Sequence, residues 1–153
     1  MTDKLTIALA QIDPTVGDIR RNAERILAAR NLAKEADLVV FSELVLCGYP
    51  PEDLVLKPFF QDKIEVEINR LAEATRDGGP AMLIGAPWRS EGFLYNAVLL
   101  LDAGKIVGVR FKYDLPNYGV FDEKRVFETG PMPGPINFRD VRIGIMICED
   151  MWK

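Results

Sequence analysis

Two short apolar runs, residues 5–10 and Leu38–Phe41, flank one amphipathic stretch, and that spacing constrains the fold more than anything else in the chain. Across residues 19–36 the apolar side chains Ile19, Ala23, Ile26, Leu27, Ala33 and Ala36 recur every three or four positions with arginines in the gaps. That is the period of a helix that buries one face. Asp18 stands before it as a candidate N-cap. A strand, a helix and a strand in about forty residues make a βαβ unit, which pairs its strands in parallel through a right-handed crossover. Both runs are therefore expected to be buried strands.

The rest of the chain continues the α/β pattern. Residues 42–58 hold Gly48, Pro50, Pro51 and Pro58 and are expected to form an ordered, functional loop. A second helix is predicted over 59–76 from the stripe Phe60, Ile64, Ile68, Leu71 and Ala72, ended by Asp77-Gly78-Gly79-Pro80. Residues 81–86 form a third strand, and 94–101 with Lys105–Phe111 a hairpin turned at Asp102-Ala103-Gly104. The sheet is therefore mixed. Residues 113–135 make a long segment rich in Pro and Gly that still carries Tyr118, Phe121 and Phe127, an apolar load pointing to function. The last strand is predicted at 141–147, buried on both faces, and the chain stops six residues later. Such a strand lacks a far neighbour, so a truncated domain with an unpaired, aggregation-prone edge is expected.

Composition narrows the chemistry. The 153 residues are 48% hydrophobic, enough for one globular domain with a core. The chain has no histidine, which removes Ser-His and Cys-His nucleophile pairs and His-containing zinc sites. Acid–base work falls to Glu, Asp, Lys, Tyr or Cys. With 19 Lys plus Arg against 23 Asp plus Glu, the net charge of −4 argues against a nucleic-acid binder. Neither a signal-peptide pattern nor a membrane-spanning run appears, and Cys47 and Cys148 show no metal-ligand spacing; a reducing, cytoplasmic setting is expected and no metal site. Gly130–Pro135 is not a phosphate cradle, because neither G-x-x-x-x-G-K-[ST] nor G-x-G-x-x-G occurs.

Three reactive side chains follow predicted strand ends: Glu43, Lys112 and Cys148. Ligand sites of open α/β sheets lie outside the carboxyl ends of strands. A thiol is mostly protonated at neutral pH and needs a base, which without histidine must be a carboxylate such as Glu43. Lys112 offers an ammonium to stabilise an oxyanion. Singly, Glu43 and Lys112 read first as surface charges and Cys148 as an inert small hydrophobe; their joint placement is what points to a site. Cys47, in a loop with no polar partner in view, is expected to be structural.

The contexts Phe41-Ser42-Glu43-Leu44, Lys112-Tyr113-Asp114-Leu115-Pro116 and Ile147-Cys148-Glu149-Asp150 resemble the carbon–nitrogen hydrolase (nitrilase) superfamily with its Glu-Lys-Cys triad. The resemblance runs from Ile7 to the end. The strings from Cys47 to Leu54 and from Leu115 to Arg125 are similar, more narrowly, to the glutaminase domain of glutamine-dependent NAD+ synthetases. This resemblance implies a four-layer α-β-β-α sandwich, of which residues 1–153 would be the N-terminal part. It implies hydrolysis of the glutamine side-chain amide through a thioester on Cys148, with Glu43 as base and then acid. Lys112 and the backbone N–H of Glu149 would hold the oxyanion.

Glu123 would be a supporting second glutamate, and on its own context it is equally a surface charge. Tyr49, Tyr118 and Glu149 would line the glutamine pocket, or the tyrosines would simply pack in their loops. No cofactor is implied for this part; ATP and Mg would bind an absent C-terminal synthetase domain that amidates deamido-NAD+ to NAD+. Homo-oligomers are implied as well. Two alternatives stay open: a stand-alone amidase with the same triad, and a non-catalytic assembly module.

Overall fold

The computed structural model describes residues 4–152. Five strands, β1 (Ile7–Ala10), β2 (Leu38–Phe41), β3 (Ala81–Ser90), β4 (Phe93–Asp102) and β5 (Lys105–Phe111), form one sheet in sequence order. β1, β2 and β3 run parallel, and β3, β4 and β5 form an antiparallel meander, which makes the sheet mixed as expected. The meander is shaped by two tight turns whose central residues all have positive φ, Glu91-Gly92 and Ala103-Gly104. Such turns match the twist of the strands they join. The β3–β4 hairpin extends past the predicted strand ends because Pro87 is accommodated inside β3, opposite Asn96.

Helices α1 (Ile19–Leu32) and α2 (Pro58–Ala74) cover one face of the sheet. The predicted apolar stripes are the buried ones: Ile19, Ala23 and Ile26 on α1, Phe60, Ile64, Ile68 and Leu71 on α2. They meet Val39, Phe41, Met82, Ile84, Leu99 and Leu101, the alternate residues of β2, β3 and β4. Asp18 does cap α1, its carboxylate accepting the Arg21 N–H at 3.3 Å. α1 stops four residues short of its predicted end. The chain turns through Ala33 and Ala36 so that the Asp37 carboxylate can accept the Thr6 N–H at 2.8 Å, fastening the start of β2 beside β1.

The other face is covered by an antiparallel ribbon, β6 (Ile136–Phe138) and β7 (Val141–Ile143), turned at Arg139-Asp140, both with positive φ. Ile136 and Phe138 bury against Leu38, Ala81, Leu83 and Leu100. The described residues therefore present a helix layer, a five-stranded sheet and a two-stranded ribbon where the resemblance implies a second β layer.

Two strand expectations are corrected. Residues 141–147 are not a strand buried on both faces of the main sheet: β7 ends at Ile143, pairs with β6, and its outer residues Val141 and Arg142 are exposed. Hydrophobicity there serves one-sided packing, with Ile143 and Ile145 set against the sheet face. β1 is likewise not fully buried. It is an edge strand whose Ala8 and Ala10 pack towards the helices, while Ile7 and Leu9 lie 46% and 82% exposed on the ribbon side of the sheet, beyond the edge of the ribbon.

One close approach fixes the loop after β2. A Cβ on Gly85 of β3 would lie 2.5 Å from the Leu44 backbone N and 2.6 Å from the Ser42 carbonyl O. The Gly85 carbonyl accepts the Leu46 N–H at 3.2 Å, and Leu44 turns with φ of 50°. Absence of a side chain at 85 is what lets the Glu43-bearing turn cross over β3. Gly85→Ala is expected to lower stability by about 1–3 kcal/mol, the usual cost of forcing extra volume into a packed site. Urea unfolding measures it, and an unchanged midpoint would mean that this contact relaxes freely.

Candidate active site

Sheet topology brings two of the triad candidates to one end. β2 and β5 point the same way, so Glu43, two residues past β2, and Lys112, directly after β5, emerge at the same end of the sheet. Lys112 is held by its own backbone, donating to the Asn96 carbonyl at 2.8 Å and accepting from Gly130 at 2.9 Å. Its side chain is completely buried. Lys112 Nζ donates to Glu43 Oε1 at 2.7 Å and to both Glu123 oxygens at 2.9 and 3.0 Å. Burial alone disfavours the ammonium, but hydrogen bonds and attraction from Glu43 and then Glu123 outweigh it and hold its pKa above the ordinary lysine value.

Glu123 is 5% exposed, which excludes the surface-charge reading. It accepts from Lys112 and from the Tyr49 hydroxyl at 3.1 Å. Burial and the charge of Glu123 push the Tyr49 phenol well above its usual range, so Tyr49 stays a donor. Tyr118 donates its hydroxyl to Glu149 Oε2 at 2.9 Å, and Glu149 is itself buried. The three residues expected around a substrate pocket thus split into two pairs, Tyr49 with Glu123 and Tyr118 with Glu149.

Cys148 does not follow a strand directly. It opens a 3-10 turn, Cys148–Met151, after an irregular stretch, with φ of 48°. Asp150 fixes that turn: Oδ2 accepts the Ile147 N–H at 3.0 Å, and Oδ1 accepts the N–H groups of Tyr113 and Asp114 at 3.1 and 2.8 Å. One carboxylate therefore ties the cysteine turn to the segment just after Lys112. The Cys148 side chain is exposed at the rim of a cleft of about 110 Å³. Glu43 shares that cleft, whose apolar wall includes Val40, Leu83, Val98 and Ile145. Desolvation and then the negative charge of Glu43 raise the Cys148 thiol; Lys112 opposes them, and a hydrogen bond to Glu43 adds to the rise.

Two larger clefts, about 470 Å³ beside Asp18 and Asp62 and about 500 Å³ beside Tyr113 and Met132, contain no cysteine. Cys47 lies apart from the cluster's chemistry. It is buried, its Sγ donates to the Gly48 carbonyl at 3.3 Å, and burial pushes its pKa up to about 12. A thiol in that state is no nucleophile near neutrality. Among the described residues no group of three or more His, Cys, Asp or Glu is arranged to hold a metal ion, and no helix is long and apolar enough to cross a membrane.

Two contributors escaped the sequence reading. Asn96, 1% exposed, donates Nδ2 to Glu43 Oε1 at 2.7 Å. Its only sequence signal was an amide interrupting an apolar strand. Asp150 showed none, because a carboxylate next to Glu149 looks like any solvated pair.

A family model for carbon-nitrogen hydrolases matches residues 6–153. The glutamine-dependent NAD(+) synthetase of Xylella fastidiosa (strain Temecula1) is 43% identical over 99% of this chain, and the chain spans 28% of that relative's length. The structure of the glutamine-dependent NAD+ synthetase from Acinetobacter baumannii in complex with ADP superposes with a TM-score of 0.90 at 37% identity, over 97% of this chain and 28% of that one. A Glu→Gln variant of the amidase from Nesterenkonia sp. AN1, with the acetamide moiety of fluoroacetamide covalently added at its active-site cysteine, matches with a TM-score of 0.74 and 27% identity, over 86% of this chain and 50% of that one. Matched along almost its whole length, the chain belongs to the carbon-nitrogen hydrolase family.

Proposed function

We propose that residues 1–153 are the N-terminal part of the glutaminase domain of a glutamine-dependent NAD+ synthetase, and that Cys148, Glu43 and Lys112 carry the hydrolysis. The observation that carries this reading is the exposed Cys148 thiol sharing one cleft with Glu43, beside a buried ammonium locked between two carboxylates. In the first step Cys148 Sγ bonds to the amide carbon of glutamine while its proton passes to Glu43. The tetrahedral oxyanion is held by a donor from Lys112 and by the Glu149 N–H. Collapse breaks the C–N bond, Glu43 returns the proton to the leaving nitrogen, and ammonia departs, leaving a thioester. Water, deprotonated by Glu43, then attacks the thioester carbon, and glutamate leaves as the thiol re-forms.

Glu123 would act by position, keeping Lys112 charged and in place. Glu149, oriented by Tyr118, offers a carboxylate to the substrate's amino group, and Tyr49 forms the neighbouring wall. The ammonia would be consumed by ATP- and Mg-dependent amidation of deamido-NAD+ in a separate synthetase domain, and the assembly would be a homo-oligomer. No cofactor takes part in the hydrolytic half. A second reading, an amidase for short aliphatic amides, has support in the Nesterenkonia likeness. The buried Glu149 carboxylate, held by the Tyr118 hydroxyl, favours an amino-acid substrate, since a simple amide has no ammonium to meet that charge.

In the intact protein, Cys148→Ala is expected to abolish glutamine-dependent NAD+ formation and leave ammonia-dependent formation largely unchanged. Parallel assays with glutamine, acetamide and ammonia test this; hydrolysis of acetamide in preference to glutamine would favour the second reading, and loss of both NAD+-forming activities would overturn the division of labour. Lys112→Met should slow glutamine turnover by roughly 10²–10³-fold.

The pH dependence of Cys148 alkylation by iodoacetamide tests the electrostatics separately from turnover. Glu43 raises the thiol, so Glu43→Gln should move the alkylation midpoint to lower pH. Lys112 lowers it, so Lys112→Met should move the midpoint to higher pH. Shifts of the same sign in both variants would mean that the cysteine does not sense the two charges as arranged.

A further inference from the structure

Asn96 sits on β4 at the same end of the sheet as Glu43 and Lys112, on the alternation of Val98 and Leu100 and opposite to that of Ala97 and Leu99. Its Nδ2 donates to Glu43 Oε1 at 2.7 Å and to Glu123 Oε2 at 3.4 Å. Its Oδ1 is buried with no hydrogen-bond partner among the described residues. The reverse orientation of the amide would set an acceptor against two carboxylates, so the donor assignment follows from the partners. An orphaned buried acceptor is a desolvation cost with no return in stability, which points to another reason for the residue.

The reason lies in which oxygen of Glu43 is occupied. Oε1 receives both Lys112 Nζ, at 2.7 Å, and Asn96 Nδ2, at 2.7 Å. We infer that Asn96 is a positioning residue of the hydrolytic site, pinning Oε1 of Glu43 together with Lys112 so that Oε2 is the oxygen that exchanges the proton with Cys148. Lys112 alone leaves the carboxylate free to turn about its last bond; two donors from different strands on one oxygen stop that rotation. Neutrality matters too. Glu43, Glu123 and Lys112 sum to one negative charge, and a cationic donor at 96 would cancel the charge that makes Glu43 a base.

This inference rests on the hydrolase reading for its kinetic consequence, and the alkylation of Cys148 tests it independently. In the intact protein, Asn96→Ala should lower kcat for glutamine about 10²-fold, the scale of a misplacement near 1 Å, with KM changed less than about threefold. Released from Asn96, Glu43 no longer aims at the sulfur, and the iodoacetamide midpoint of Cys148 should fall towards that of Glu43→Gln.

Asn96→Asp keeps the shape but sets a third carboxylate beside Glu43 and Glu123 with only Lys112 to balance them. Its alkylation midpoint should rise, and its activity should partly recover as the pH falls, when the protonated acid can donate again. Should Asn96→Ala not fold, as judged by thermal unfolding, Asn96→Ser restores a short neutral donor and should retain more turnover than Asn96→Asp at neutral pH. Midpoints that move in the same direction in Asn96→Ala and Asn96→Asp, or a kcat within about threefold of wild type in both, would overturn the assignment. If the wild-type protein fails to hydrolyse glutamine while the midpoints still move oppositely, the positioning role stands and the substrate reading falls.

Discussion

A lysine with no exposed surface, between two carboxylates, is the interaction around which the rest of the structure is arranged. Removing an ammonium from water costs several kcal/mol even after relaxation, and only close, well-directed counter-charges offset it. Lys112 meets that condition by drawing its partners from two distant loops, Glu43 after β2 and Glu123 in the long segment after β5. The pairing therefore does two things at once. It closes both loops over the end of the sheet, and it makes neither loop dispensable, because deleting one partner of a buried pair typically costs about 3–5 kcal/mol.

The scaffold supports this arrangement through backbone geometry more than through bulk. Gly85 lets the Glu43 turn pass over β3, and a Cβ on Gly130 would lie 2.5 Å from Phe111 Cβ, so the returning segment after Glu123 can press against Lys112 only without a side chain there. Asp150 performs the corresponding task for the Cys148 turn, accepting three backbone N–H groups that no helix or strand satisfies. A second latch lies outside: Arg125 bridges Asp53 and Asp122, joining the loop that carries Tyr49 to the loop that carries Tyr118. Being largely exposed, that latch contributes less than the buried pair and is screened by salt.

The sequence revealed what depends on period and residue type. The βαβ start, both apolar helix stripes and the mixed sheet are legible in the sequence, because burial of one helix face leaves a visible period; the contact of Lys112 with Glu43 is foreshadowed only by their places after strands. Features set by tertiary context could not. Residues 141–147 carry the composition of a central strand, yet the chain after Pro135 folds back as a ribbon across the sheet face, and one-sided packing needs the same apolar residues. Ile7 and Leu9 look like core residues because hydropathy does not report which strand is the edge. Asn96 reaches Glu43, 53 residues away, and Asp150 reaches the N–H groups of Tyr113 and Asp114, 37 and 36 residues away, and no local spacing registers those contacts.

A cysteine set beside a carboxylate faces a different proton problem from one paired with an imidazole. An imidazole can hold the thiol proton as a stable ion pair, so the thiolate exists before substrate arrives. Here the neighbour is a carboxylate, whose charge raises the thiol and disfavours a second anion beside it. On the proposed mechanism the proton therefore stays on sulfur until an electrophilic carbon is at hand, and bond formation and proton transfer to Glu43 proceed together. Lys112 then has a second meaning beyond the oxyanion: it limits how far Glu43 can raise the thiol, keeping the nucleophile within reach of its base. The buried ammonium and the unionised thiol are in this sense one device, and Glu123 is needed for both because without it the ammonium would have a single counter-charge and a weaker claim to remain charged in a buried site.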